Sequence, residues 1–145
     1  MERLIEFVLH HYILTLALAV VTYLLIQDLL ESAFNKFSSL SPMLAVAKMN
    51  SADITIIDVR EPHEYIKGHI ENSVNIPLGK LDDHLTQLAD KKNSPLIVVC
   101  QSGTRSVPAC KTLSKSGFTE IYNITGGMQS WEDSKLPVRI TSKNN

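Results

Sequence analysis

Three short runs, Ile54-Thr55-Ile56-Ile57, Leu96-Ile97-Val98-Val99 and Glu120 to Ile124, are separated by longer stretches with helical spacing. The first two show no polar alternation, as expected of strands buried on both faces of a parallel sheet. Parallel strands need crossovers of a dozen residues or more, and each gap here is long enough for one. The expected fold is α/β, an open parallel sheet flanked by helices.

The intervening segments agree. Ser41 as N-cap and Pro42 at the first helical position open a helix carrying Met43, Leu44, Val46, Ala47 and Met49. A short helical piece runs from His63 to Ile66, and Ser73 to Pro77 reads as a brief strand closed by proline. Leu81, Leu85 and Leu88 form a helical stripe from Leu81 to Ala89. Ser106 opens a helix with Pro108 in its first turn, where a missing N–H costs nothing. Gly117-Phe118 reads as its glycine cap and hydrophobic clasp. Gly126-Gly127 breaks the chain before a short helix with Trp131, and Leu136-Pro137-Val138 closes the domain.

A different kind of segment precedes all this. Phe7 to Gln27 contains no Lys, Arg, Asp or Glu. As a helix it would be about 31 Å long, the thickness of a hydrocarbon core. A cleaved signal peptide fits poorly, because the start is not basic and no small-residue cleavage pattern follows. A buried core helix fits poorly too, since a small domain cannot enclose a helix apolar on all faces. We expect a membrane anchor, with His10, His11 and Tyr12 near one interface. Leu29, Leu30, Ala33, Phe34 and Phe37 extend the helical spacing, so residues 1–37 form the anchor and juxtamembrane helix, 41–140 the α/β domain and 141–145 a disordered tail. Arg3 before the span against Lys36 and Lys48 after it favours a cytoplasmic domain.

From Ser41 onward twelve Lys or Arg face eleven Asp or Glu, and the whole chain carries −1. That balance gives no reason to expect a nucleic-acid partner. The two cysteines, Cys100 and Cys110, are too few for a disulfide framework and suit a reducing compartment. They lack metal-ligand spacing and the five histidines are scattered, so neither metal nor cofactor is expected.

The chemistry concentrates at Cys100-Gln101-Ser102-Gly103-Thr104-Arg105-Ser106. A thiol ends a buried strand, where open α/β sheets bind ligands, and a helix begins just beyond it. A cysteine of ordinary pKa is only about 3% thiolate at neutral pH, so a nucleophile needs help. Loop amides, the helix N-terminus and Arg105 can supply it, and Gly103 lets the loop curl around the sulfur. Ser102 and Thr104 add hydroxyls at the rim. The bland alternative is an inert buried cysteine.

These residues match Cys-x-x-Gly-x-Arg, and the domain resembles rhodanese-like sulfurtransferases. The resemblance runs through Asp58-Val59-Arg60-Glu61, Gly68-His69-Ile70, Asn75-Ile76-Pro77, Gly117-Phe118, Gly126-Gly127-Met128 with Trp131, and Leu136-Pro137-Val138, over about Ser41 to Ile140. Two departures are Asn72-Ser73, where the family usually has Gly-Ala, and Val99, where an aromatic often precedes the cysteine. The N-terminal segment resembles that of membrane-tethered single-domain bacterial members, which implies an inner-membrane location and lipid contact through residues 7–27. The resemblance implies that Cys100 takes a sulfane sulfur from a small anionic donor such as thiosulfate. The persulfide then passes it to cyanide, a thiol or a protein, with Gln101, Ser102, Gly103, Thr104 and Arg105 binding substrate.

Asp58 is expected to steady the loop, with Ser106 in support, Arg60 to pair with a carboxylate, and His69, Trp131 and Cys110 to be structural. Two other readings stand beside the sulfurtransferase: a membrane-tethered binding module, and a cysteine phosphatase. Phosphatase loops are one residue longer between cysteine and arginine; here four separate them. The tighter loop suits a single reactive sulfur.

Overall fold

The computed structural model describes residues 11–34, 37–51 and 53–141. The chain divides into two compact units, residues 1–35 and 36–145. In the first, helix α1 spans Tyr12–Phe34. Its large apolar side chains from Tyr12 to Ile26 are at least half exposed. Thr22 donates its hydroxyl to the Leu18 carbonyl (2.8 Å) and Thr15 to that of Tyr12 (3.0 Å), so both polar groups are satisfied within the helix. Phe7 to His10 of the expected span lie outside the described residues, as does the tail from residue 142. Among the described residues no helix is long and apolar enough to cross a membrane.

The second unit is built on a five-stranded sheet, every pairing parallel: β1 (Phe37–Leu40), β2 (Thr55–Asp58), β3 (Val74–Asn75), β4 (Leu96–Val99) and β5 (Ile121–Ile124), in the order β1-β5-β4-β2-β3. Helices α2 (Pro42–Ser51), α3 (Pro62–Tyr65), α4 (Leu81–His84), α5 (Ser106–Lys115) and α6 (Gly127–Asp133) complete it. Successive residues of a strand face opposite sides, which gives two cores. Ile57, Leu96, Val98 and Cys100 share one with Leu113 and Phe118; Ile56, Ile97, Val99 and Ile124 share the other with Ala45, Met128 and Trp131.

Two expectations are corrected. Phe37 does not continue the N-terminal helix but opens the edge strand β1, pairing with Ile121. Phe37 packs on one core and Leu40 on the other, one apolar residue per face, with Ser38 and Ser39 exposed between. The Leu81–Ala89 helix is the second. Only Leu81–His84 is α-helical, and a 3-10 turn follows at Ala89–Lys91. Aspartates and a threonine give this stretch little helical preference of its own. It tightens instead to i−3 hydrogen bonds, such as Gln87 N–H to His84 (3.0 Å), while keeping Leu81 and Leu88 buried.

Elsewhere the local chemistry acts as read. The Ser41 hydroxyl accepts from Leu44 N–H (3.4 Å), and α5 closes with Gly117 N–H on Ser114 (3.2 Å) and Phe118 N–H on Leu113 (3.2 Å). Asn72 adopts φ 61°, a conformation open to asparagine as well as glycine, so that departure is accommodated by the backbone. Trp131 is buried and donates its indole N–H to Pro137 (3.0 Å). His69 is buried, stacks on Tyr65 at 3.8 Å and shares a hydrogen bond between its Nδ1 and the Tyr65 carbonyl (2.9 Å).

The sheet order places the crossover between β2 and β4, and Asp58 and Cys100 stand at the carboxyl ends of these neighbours. The loop after β4 is then fixed from below by α6. Met128 N–H donates to the Cys100 carbonyl (2.8 Å) and Gln129 N–H to that of Gln101 (3.0 Å). This approach leaves no room at Gly127, where φ is +61° and a Cβ would lie 2.8 Å from the Gln101 carbonyl carbon. Gly127→Ala should therefore lower stability by about 2–5 kcal/mol, combining left-handed strain with overpacking. A urea midpoint equal to that of the parent chain would contradict this contact.

Candidate active site

Cys100 is fully buried, with its sulfur at the foot of the loop. Gly103, at φ +95°, folds its backbone over so that its N–H donates to Cys100 Sγ (3.1 Å). Ser106 Oγ lies 3.3 Å from the same sulfur. Ser106 opens α5 as its first helical residue with Arg105 at the N-cap position, and its hydroxyl does not cap the helix. From there its hydroxyl reaches back to the Gly103 carbonyl (3.1 Å) and the thiol instead. A hydroxyl can donate to only one acceptor at a time. It can therefore serve the carbonyl while the sulfur is protonated, and turn to the sulfur when it becomes an anion.

The loop's polarity follows from α6. Its Cys100 and Gln101 carbonyls point into the Met128 and Gln129 amides. Among the described residues, the amides of Ser102, Thr104 and Arg105 donate to no protein atom. Such a run of free N–H groups forms an anion-binding nest. At the rim the Ser102 and Thr104 hydroxyls are 3.2 Å apart.

Two ion pairs flank the loop. Asp58 and Arg60 are both buried. Arg60 Nη2 donates to Asp58 Oδ2 (2.7 Å) and Nε to Asp58 Oδ1 (3.0 Å). Arg60 Nη2 also reaches the Gly68 carbonyl (2.7 Å), and Nη1 reaches Gln101 Oε1 (3.0 Å). Asn75 Nδ2 ties the same turn by donating to the Asp58 (3.0 Å) and Arg60 (2.8 Å) carbonyls. Asp58 thus steadies the loop through Arg60 and Gln101, and does not touch the sulfur.

The second pair was not foreseen. Arg105 grips Glu64 with both ends of its guanidinium (2.6 and 2.7 Å). Glu64 also accepts from Glu61 N–H (3.0 Å), closing the capping box of α3. Hydrogen bonding from Arg105 pulls the Glu64 carboxyl down from 4.5 to about 2, and Glu64 in turn holds Arg105 above its usual range. Arg105 therefore clasps the loop to α3. The available signal was the Glu61-x-x-Glu64 spacing, but it speaks only for a helix start. Cys110 is fully buried on the inner face of α5, and burial, with the charge of Cys100 next, pushes its thiol up to about 12. It is a core residue. No group of His, Cys, Asp and Glu among the described residues could hold a metal ion.

The chain is similar to known proteins. The rhodanese-like domain model matches residues 41–134. The chain is 45% identical over 76 residues to the Bacillus subtilis protein YqhL, covering 52% of this chain and 59% of that protein. It is 36% identical over 95 residues to the thiosulfate sulfurtransferase GlpE of Stutzerimonas stutzeri, covering 66% and 84%. Among solved structures, a rhodanese-related protein from Thermoplasma volcanium superimposes with TM-score 0.65 at 34% identity, over 71% of this chain and 98% of that one. With its parallel sheet, its cysteine loop and this match over most of its length, the chain belongs to the rhodanese-like domain family.

Proposed function

We propose that the chain is a sulfurtransferase that carries sulfane sulfur on Cys100. The observation that supports this best is the sulfur held at 3.1 Å from the Gly103 amide, inside a loop whose other amides are free. The Cys100 thiolate attacks the outer sulfur of thiosulfate. A Cys100–S bond forms, the bond to the sulfonate sulfur breaks, and sulfite leaves with the electron pair. An acceptor thiolate then attacks the outer sulfur of the persulfide, and Cys100 leaves as thiolate. Loop amides hold the anionic donor and then the persulfide, an electrostatic role for groups fixed in advance. Ser106 turns its hydroxyl to the thiolate at both ends of the cycle. Arg105 already has both ends of its guanidinium on Glu64, so it closes the loop and is not spare to clamp a phosphoryl group. This favours sulfur over phosphate-ester chemistry.

We further propose that residues 7–27 anchor the chain in a bacterial inner membrane, with the domain in the cytoplasm. The uncharged run and the exposed apolar side chains of α1 support this reading. An anchored full-length chain should stay with membranes through an alkaline carbonate wash. A tag placed after Asn145 should be digested in inside-out vesicles, and a chain recovered in the wash would remove the anchor.

Incubation with thiosulfate should add one sulfur atom to the intact chain by mass spectrometry, and none to Cys100→Ser. Ser106→Ala should slow loading by about 10–100-fold, the loss of one hydrogen bond to a charged group. Loading of Cys100→Ser would sink the assignment.

The Glu64–Arg105 clasp gives a pH signature. A carboxyl depressed when folded stabilises above its unfolded pKa, and that contribution is lost as pH falls through the folded one. The stability gap between the parent chain and Glu64→Gln should be full above pH 4.5 and vanish as pH falls to about 2. Urea midpoints across that range measure it, and a gap independent of pH would contradict the clasp.

A further inference from the structure

Every strand of the sheet runs the same way, so the domain has two unlike ends. The cysteine loop stands at the carboxyl end. At the other end Phe37, Ile121, Leu96 and Thr55 lie abreast as the first residues of β1, β5, β4 and β2. The turns that lead into β4 and β5 are pinned together there, because Thr119 donates its N–H (3.0 Å) and its hydroxyl (3.2 Å) to the Lys92 carbonyl. Helix α5 runs to the same end, about 15 Å from Ser106 to Lys115.

This arrangement gathers three lysines. Lys91 and Lys115 are exposed, and Lys92 Nζ lies 3.9 Å from where a Cβ on Gly117 would stand, at the close of α5. None of the three makes an ion pair among the described residues. Lys48 at the same end is already occupied, 3.3 Å from Glu120 and 4.4 Å from the centre of the Tyr122 ring. Asp53 and Asp90 are exposed near these turns, and the lysines outnumber them. Around the cysteine, by contrast, the arginines are matched: Arg60 by Asp58, Arg105 by Glu64 and Arg139 by Glu71.

The basic end is also where the chain arrives from α1. That helix ends at Phe34 and β1 opens at Phe37, so only residues 35 and 36 intervene, a reach of at most about 11 Å. We infer that the amino end of the sheet docks on an anionic phospholipid surface through Lys91, Lys92 and Lys115. This rests on the anchor proposed for residues 7–27 and adds to it the docking face and the class of lipid. Each lysine near such a surface favours contact by about fivefold. The tether makes the contact intramolecular, so a few charges suffice. Docked in this way, the domain turns its cysteine loop away from the bilayer.

The test places the full chain in vesicles of phosphatidylcholine alone, or of equal parts phosphatidylcholine and phosphatidylglycerol. A water-soluble acetylating ester is added, and mass spectrometry follows the rates at Lys91 and Lys115 relative to Lys67, an exposed lysine at the opposite end. Phosphatidylglycerol should slow Lys91 and Lys115 by about fivefold or more relative to Lys67. Added salt should restore the rates, because it shortens the reach of surface charge. Equal ratios in the two lipids, or a slowing that survives salt, overturn the docking face. Flotation reports the anchor separately. A chain that fails to float with phosphatidylcholine vesicles removes the anchor, and one that fails to float with the anionic vesicles as well removes the docking face too.

Discussion

Arg60 is a permanent cation with 3% of its surface exposed, and the domain is arranged to match it. A buried charge left alone is strongly unfavourable, whereas one met on each of its three nitrogens fixes its surroundings. Asp58 supplies the counter-charge from the end of β2, Gly68 a carbonyl, and Gln101 a side-chain oxygen from the cysteine loop. Asn75 ties the backbone of the same turn to β3. The separated motifs Asp58-Val59-Arg60-Glu61, Gly68-His69-Ile70 and Asn75-Ile76-Pro77 are thus parts of one hydrogen-bonded frame. Its outermost member is Gln101, the residue after Cys100.

Within that frame two helices act on one loop in opposite senses. The amino end of α5 brings Ser106 to the sulfur, whereas the amino end of α6 receives the loop's carbonyls. A peptide unit points its N–H away from its C=O, so drawing the carbonyls toward α6 turns amides to the other side. The pairing of Gly127 with the loop is what allows this. A side chain there would push the two apart and undo the polarity together with the packing.

Much of this was legible in the residues. The central strand Leu96–Val99 and helix Ser106–Lys115 have the bounds their patterns imply, because a fully apolar run and a proline near a helix start admit few alternatives. The edge strand Phe37–Leu40 was not legible. With one apolar residue for each face, it has no pattern apart from the sheet it joins. Glu64 was equally hidden: its partner Arg105 is 41 positions away, and only the fold brings them within reach. Ser106 was read as opening the helix and supporting the site, as it does. Its actual partner is a sulfur six positions earlier, reached only because the loop doubles back.

The full burial of Cys100 carries a consequence for what the molecule displays. The chain shows solvent a closed loop of backbone and hydroxyls, with the Cys100 thiol hidden beneath. In the proposed cycle a second sulfur atom on Cys100 would stand about 2 Å from the first. Empty and loaded chains would then wear different faces at the same spot.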